Sequence, residues 1–219
     1  MSKVVLSAAL IWGTLSTFSG AEYLNIAEFI DKASITYKTH FTVDTPLERW
    51  NLMFDNPLLI GTLWELYTFS PPYRVSRKGS GYHINDSKGI EGDLYEIYPG
   101  NDHTRVFWGN GTLKNWFIPV SLSGKALFIL DYTVTQKQVS VALSIYGESG
   151  DDIITTILLK TLSPLICTFV DRRVTQNLRD LKIIISDIEH NPDKIRAVLP
   201  GEIIKDFNRL CMDEITYAW

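Results

Sequence analysis

Cysteine and histidine are scarce in this 219-residue chain. The two cysteines, Cys167 and Cys211, form no Cys-x-x-Cys pair and neither adjoins a histidine. That spacing supplies no zinc or dithiol motif. The four histidines are His40, His83, His103 and His190, none at helical or alternate-strand spacing from another. A metal site would need convergence of distant segments, so neither a metal nor a cofactor is expected. Gly-x-Ser-x-Gly, His-Glu-x-x-His, a Walker loop and Gly-x-Gly-x-x-Gly are all missing. Gly109-Asn110-Gly111 precedes no helical pattern and reads as a turn. Basic charge is short as well: 21 Lys and Arg against 25 Asp and Glu leave a formal charge of −4. This is not the electrostatic footprint of a nucleic-acid binder. The compact basic groups, Arg74, Arg77 and Lys78 and the pair Arg172 and Arg173, read as solvated surface.

What is present is ordinary globular composition, 45% hydrophobic and 21% charged. The length favours one domain with one sizeable core. Lys3 is followed by an apolar run from Val4 to Phe18 and then by Ser19-Gly20-Ala21. A basic start, a short apolar stretch and small residues at its end describe a secretory signal covering 1–21. The run falls short of the ~20 residues of a membrane span. The alternative is a buried or anchoring N-terminal helix. The signal reading makes the protein exported, periplasmic or secreted, with residues 22–219 as the mature domain. Export would permit a Cys167–Cys211 disulfide; two separate buried thiols are the other reading. Asn85-Asp86-Ser87 and Asn110-Gly111-Thr112 match the glycosylation triplet, which matters only in a eukaryotic secretory route.

Along the chain, Tyr23 to Ala33 has the spacing of a short amphipathic helix. From Ser34 to Asp44, Ile35, Tyr37, Thr39, Phe41 and Val43 alternate with polar residues, which predicts a half-buried strand. Thr45 as cap and Pro46 as first helical residue start a short helix to Phe54. Pro57 breaks it, and Leu58 to Tyr67 forms a second. Tyr73 to Ile84 reads as a strand bent at Gly79 and Gly81. Gly92 to Tyr98 and Thr104 to Trp108 follow, each closed by a turn. Asn115 to Ser123 reads as a loop with a strand fragment. Ala126 to Val134 and Gln138 to Tyr146 form the clearest hairpin. Asp151 to His190 is helical in pattern, with Ile154, Leu158, Leu162, Leu165, Phe169, Val174, Leu178, Leu181, Ile185 and Ile188 as its apolar stripe. Pro164 either kinks this helix or begins a new one capped by Ser163. Asn191-Pro192 ends it, and a shorter helix follows Pro200-Gly201.

This order — strand, two short helices, antiparallel strands, long helix — resembles the START-like superfamily of lipid-transfer domains, pathogenesis-related plant proteins and polyketide cyclases. The step Phe41-Thr42-Val43-Asp44-Thr45-Pro46, Trp50 in the first helix and the helix near Pro164 carry the resemblance, over roughly residues 34–190. It implies an α+β helix-grip fold, a curved antiparallel sheet around a long C-terminal helix; the N-terminal helix and a short helical extension at about 192–219 lie outside the minimal pattern. It also implies a cavity between sheet and helix.

Aromatics on a curved sheet can line a pocket, with tyrosine hydroxyls fixing a polar ligand group. Tyr82, Tyr95, Phe107, Trp108, Phe128, Tyr132 and Tyr146 are therefore the candidate ligand-binding residues, with core packing as the alternative for each. Asp131, within FILDYTV, and Glu96, within LYEIY, are the acid/base candidates. Asp131 is a buried base if the face it shares with Leu127 and Ile129 is enclosed, and an outward residue if that face is solvated. The expected function is non-catalytic binding or transport of a lipid-like or other hydrophobic molecule, with transient membrane contact. A cyclase- or dehydratase-like enzyme and a ligand-free cell-envelope interaction protein are the alternatives. Oligomeric state is left open.

Overall fold

The computed structural model describes residues 25–101, 103–114, 121–135, 137–149 and 153–212. The proposed signal segment, 1–21, lies outside the described residues. Helix α1 is Ile26–Lys32, strand β1 Ile35–Val43, α2 Leu47–Asp55 and α3 Pro57–Leu66. Six strands follow: β2 Arg74–Lys78, β3 Gly81–Asn85, β4 Ile90–Asn101, β5 Thr104–Leu113, β6 Leu122–Thr135 and β7 Gln138–Ser149. The chain then forms α4 Ile153–His190, α5 Pro192–Arg196 and α6 Gly201–Met212. The seven strands make one antiparallel sheet in the order β1-β7-β6-β5-β4-β3-β2. The first and last strands of the chain therefore meet, and the intervening strands meander from that seam. This is the expected α+β arrangement, a curved antiparallel sheet with a long C-terminal helix and two short helices after the first strand.

Strand alternation divides the sheet into two faces. On β6 the even residues Leu122, Leu130 and Tyr132 join the clusters that hold the helices, while Leu127 joins a separate cluster with Phe29 of α1. Register carries this split across the sheet: Phe107 pairs with Phe128, and Trp108 with Leu127 and Tyr95. The inner face meets α2, α3, α4 and α6. The outer face carries α1, whose Phe29 ring meets Trp108 edge-on at 4.9 Å.

Glycines of neighbouring strands face one another across β4, β5 and β6. Gly92 pairs with Gly111, and Gly111 with Gly124. A Cβ on Gly92 would stand 2.4 Å from the Asn110 carbonyl oxygen, and one on Gly111 2.4 Å from that of Glu91. Only glycine permits backbones this close. Gly109-Asn110-Gly111 thus lies within β5, and the expected turn there is replaced by a longer strand. Conversely, the single strand expected from Tyr73 to Ile84 is a hairpin, turned at Gly79 with φ +57°.

The cap of α2 is Pro46 rather than Thr45, so the helix starts one residue later than expected; Thr45 is buried with its hydroxyl unpartnered. α4 passes through Pro164 as one helix of 38 residues, about 57 Å at 1.5 Å per residue. The proline is exposed, so the carbonyl it leaves unpaired one turn earlier faces water. Thr168 Oγ1 donates to the Pro164 carbonyl at 2.8 Å. The residues after α4 belong to the main core: Phe207 and Leu210 are 0% exposed and pack with Trp50, Leu63 and Ile184. Among the described residues no helix is long and apolar enough to cross a membrane.

Candidate functional site

The middle of α4 is held from both margins of the sheet. On the β1 side the Tyr37 hydroxyl donates to Asp171 Oδ1 at 2.8 Å, and Cys167 Sγ lies 3.8 Å from the Thr36 carbonyl. On the far side Arg173 Nη2 lies 3.0 Å from Asp86 Oδ2, in the β3–β4 turn. Asp86 Oδ1 accepts the N–H groups of Lys88 and Ile90, so one carboxylate shapes the turn and ties it to the helix. The Asn177 amide donates to the Tyr73 hydroxyl at 2.9 Å. Further along, the Tyr67 hydroxyl donates to Asp187 Oδ2 at 2.7 Å, and Arg49 pairs with Glu189 at 2.7 Å while donating to the Leu210 carbonyl. Burial first, then hydrogen bonding to Asp187, raises the pKa of Tyr67; burial also raises that of Tyr73. Arg173, read from sequence as solvated, is therefore turned inward and paired.

From Cys167 to Arg179 no side chain of α4 is buried; burial resumes at Asp180 and continues at Ile184, Ile185 and Ile188. The inner-face residues Phe41, Leu94, Phe128, Leu143 and Ile145 are also only half-buried. α4 itself carries an open groove of about 370 Å³, lined by Arg179, Lys182, Ile183, Ser186 and Asp187.

Four of the seven aromatic candidates, Tyr82, Phe107, Phe128 and Tyr132, have inner-face register. Tyr82 sits at the edge, where the Arg77 guanidinium covers its ring at 4.7 Å. Phe107 and Tyr132 are buried around α2: Trp50 meets Tyr132 edge-on at 6.0 Å, and Phe54 packs on Phe107 at 5.9 Å. The Tyr132 hydroxyl and Trp50 Nε1 are buried without a hydrogen-bond partner. Burial pushes the Tyr132 pKa up to about 12, opposed by the nearby Trp50 N–H and the Arg105 charge. The other three, Tyr95, Trp108 and Tyr146, are on the outer face by register, with Trp108 and Tyr146 packed beside Phe29 or its neighbours. They are turned away from α4 and cannot line a space beneath it. Parity within each strand was legible, but which parity faced the helix was not.

Asp131 does share a face with Leu127 and Ile129, but it is the outer face. It is exposed and accepts a hydrogen bond from Thr104 Oγ1 at 2.8 Å. Glu96 is on the inner face, and both its oxygens are taken by Arg105, at 2.6 Å from Nε and 2.8 Å from Nη2. Arg105 also reaches Asp55 Oδ1 at 2.7 Å and the Asn51 carbonyl at 3.2 Å, and stacks on Phe54 and Phe107. Burial opposes its charge, but the two carboxylates outweigh burial and raise its pKa. The buried Arg105 was not singled out from sequence; a lone arginine in the strand TRVFW was its only signal.

On the outer face His83 Nδ1 lies 2.9 Å from Asp93 and its Nε2 3.4 Å from Glu91, with Lys78 on Asp93 at 2.7 Å. Among the described residues no three His, Cys, Asp or Glu side chains are arranged to hold a metal ion. Cys167 and Cys211 are free thiols.

No protein-family model and no curated protein sequence matches the chain. Among solved structures it is similar to norcoclaurine synthase from Thalictrum flavum, at 12% identity and a TM-score of 0.46, over 80% of this chain and 99% of that one. It is similar to a START superfamily protein from Mycobacterium smegmatis at 6% identity and a TM-score of 0.44, over 70% and 98%. CalU16 from Micromonospora echinospora matches at 8% identity and a TM-score of 0.40, over 80% and 83%. What those proteins bind or catalyse is a property of theirs.

Proposed function

We propose that this chain binds a hydrophobic small molecule between the sheet and the middle of α4, and carries it without chemical change. One observation carries the reading. The four turns of α4 before Asp180 and the inner-face residues Phe41, Leu94, Phe128, Leu143 and Ile145 are both left half-buried, although they belong to facing layers. Protein interiors pack to crystal-like density, and apolar surface left accessible forgoes about 25 cal/mol per Å². A bound apolar chain would recover that. The sheet's acid/base candidates fit carriage better than catalysis: Asp131 is on the wrong face, and Glu96 is held in a two-point pair by Arg105.

Native mass spectrometry of the purified chain, with displacement of a fluorescent fatty-acid probe, tests the reading. A co-purifying apolar ligand and probe displacement support it. Absence of both across lipid classes removes it. Export belongs to the same proposal, with 1–21 as a cleaved signal; a mature protein whose N-terminal residue is still Met1 would refute that part.

A further inference from the structure

The face of α4 turned toward the sheet carries a buried acid. At helical spacing that face runs Ile166, Val170, Arg173, Asn177, Asp180, Ile184 and Ile188; the isoleucines lie in core clusters at either end, Val170 packs beside Ile166, and Arg173 and Asn177 are half-buried. Asp180 is 2% exposed. An ionised carboxylate offers about four acceptor sites. Those of Asp180 meet the Gln176 amide, at 3.1 and 3.4 Å, and Arg179 Nε at 3.7 Å. Both partners come from its own helix. Among the described residues no hydrogen bond reaches Asp180 from the sheet or from α2, α3 or α6. Leaving a buried acceptor short of donors is costly. Arg173, on the same face, is paired with Asp86. Tyr73 and Asn177, bonded to each other one turn away, are only half-buried.

We propose that Asp180 accepts a hydrogen bond from the ligand's polar end. The chain then takes an amphiphile whose head is neutral and bears a hydroxyl donor, and it discriminates against the matching carboxylate. The apolar tail lies on the half-buried inner face of the sheet, so the assignment rests on the binding function proposed above.

Displacement of Nile red by three twelve-carbon chains separates the two claims. Dodecan-1-ol offers a donor, methyl dodecanoate only acceptors, and dodecanoate a negative charge. For the full chain the alcohol should displace the probe at about tenfold lower concentration than either other head, equivalent to about 1.4 kcal/mol. Asp180→Asn should bring dodecanoate to within about threefold of the alcohol, because the repelling charge is gone. Equal displacement by all three, or tightest displacement by dodecanoate, overturns the head-group assignment and leaves binding itself standing. Displacement by none, with no ligand in the native mass spectrum, overturns both. If Asp180→Asn does not fold, the series on the unaltered chain decides alone.

Discussion

Replacing Arg105 by methionine should destabilise the protein by about 2–4 kcal/mol. The Arg105 side chain is 3% exposed and joins Glu96, 25% exposed, to Asp55, 55% exposed. Removing one partner of a buried pair costs about 3–5 kcal/mol, because a buried charge is left behind. Water already reaches part of Glu96, which places this case toward the lower end. Asp55 is too wet to add more than about 1 kcal/mol. The loss should therefore follow Glu96 rather than Asp55. At about 2–4 °C per kcal/mol for a chain of this size, Tm should fall by about 4–16 °C. Lysine at 105 should not restore it, since the contact to Glu96 is a two-point fork that an ammonium cannot match. The double variant Arg105→Met with Glu96→Leu should recover part of the loss, because no unpaired carboxylate remains. Thermal and urea unfolding followed by circular dichroism measure all of these. An Arg105→Met cost below about 1 kcal/mol, or an Asp55→Asn cost as large as that of Glu96→Gln, would refute the reasoning.

Four further outcomes are expected. The Tyr132 phenol is held protonated up to about pH 12, whereas an unfolded tyrosine ionises near 10. Its contribution is complete below pH 10 and is lost as pH rises toward 12, on the order of 2 kcal/mol; alkaline unfolding of Tyr132→Phe should be less steep, and phenolate absorbance should show one late-titrating tyrosine fewer. Pro164→Ala should stabilise the chain by about 1–3 kcal/mol by restoring a hydrogen bond inside α4, read as a rise in the urea midpoint. Phe207→Ala should cost about 3–5 kcal/mol, and truncation after Asn191 should abolish cooperative unfolding, because Phe207 and Leu210 are core. Reductant should leave Tm unchanged, since Cys167 and Cys211 are free; a fall on reduction would reveal a disulfide.

How much of this was legible follows from what each pattern encodes. Alternation in Ser34–Asp44 located β1, where Ile35, Tyr37 and Val43 are buried and Thr36, Lys38 and His40 exposed, and alternation in Gln138–Tyr146 located β7, where Val139 and Val141 are buried and neither face is fully wet. The helices after β1 were legible from Pro46 and Pro57. Gly109-Asn110-Gly111 misled because glycine marks both a turn and a close backbone approach, and only the neighbouring Gly92 and Gly124 decide between them. The more instructive failure is the stripe of α4. The reading followed Leu165, Phe169, Val174 and Leu178 because they are apolar. The face that turns inward instead carries Arg173, Asn177 and Asp180 through the middle of the helix, and Leu165 is exposed. Hydrophobic periodicity assumes that the buried face is the apolar one. That assumption holds where α4 meets the core, at Ile166 and again from Ile184 to Ile188. It fails over the turns between, where α4 is clasped by Tyr37, Tyr73 and Asp86 and the facing layers stay half-covered. Buried polar groups need hydrogen-bond partners: Arg173 and Asn177 find theirs in Asp86 and Tyr73, and Asp180 finds its own within α4. The segment that periodicity misread is thus the one to which the proposed ligand is assigned.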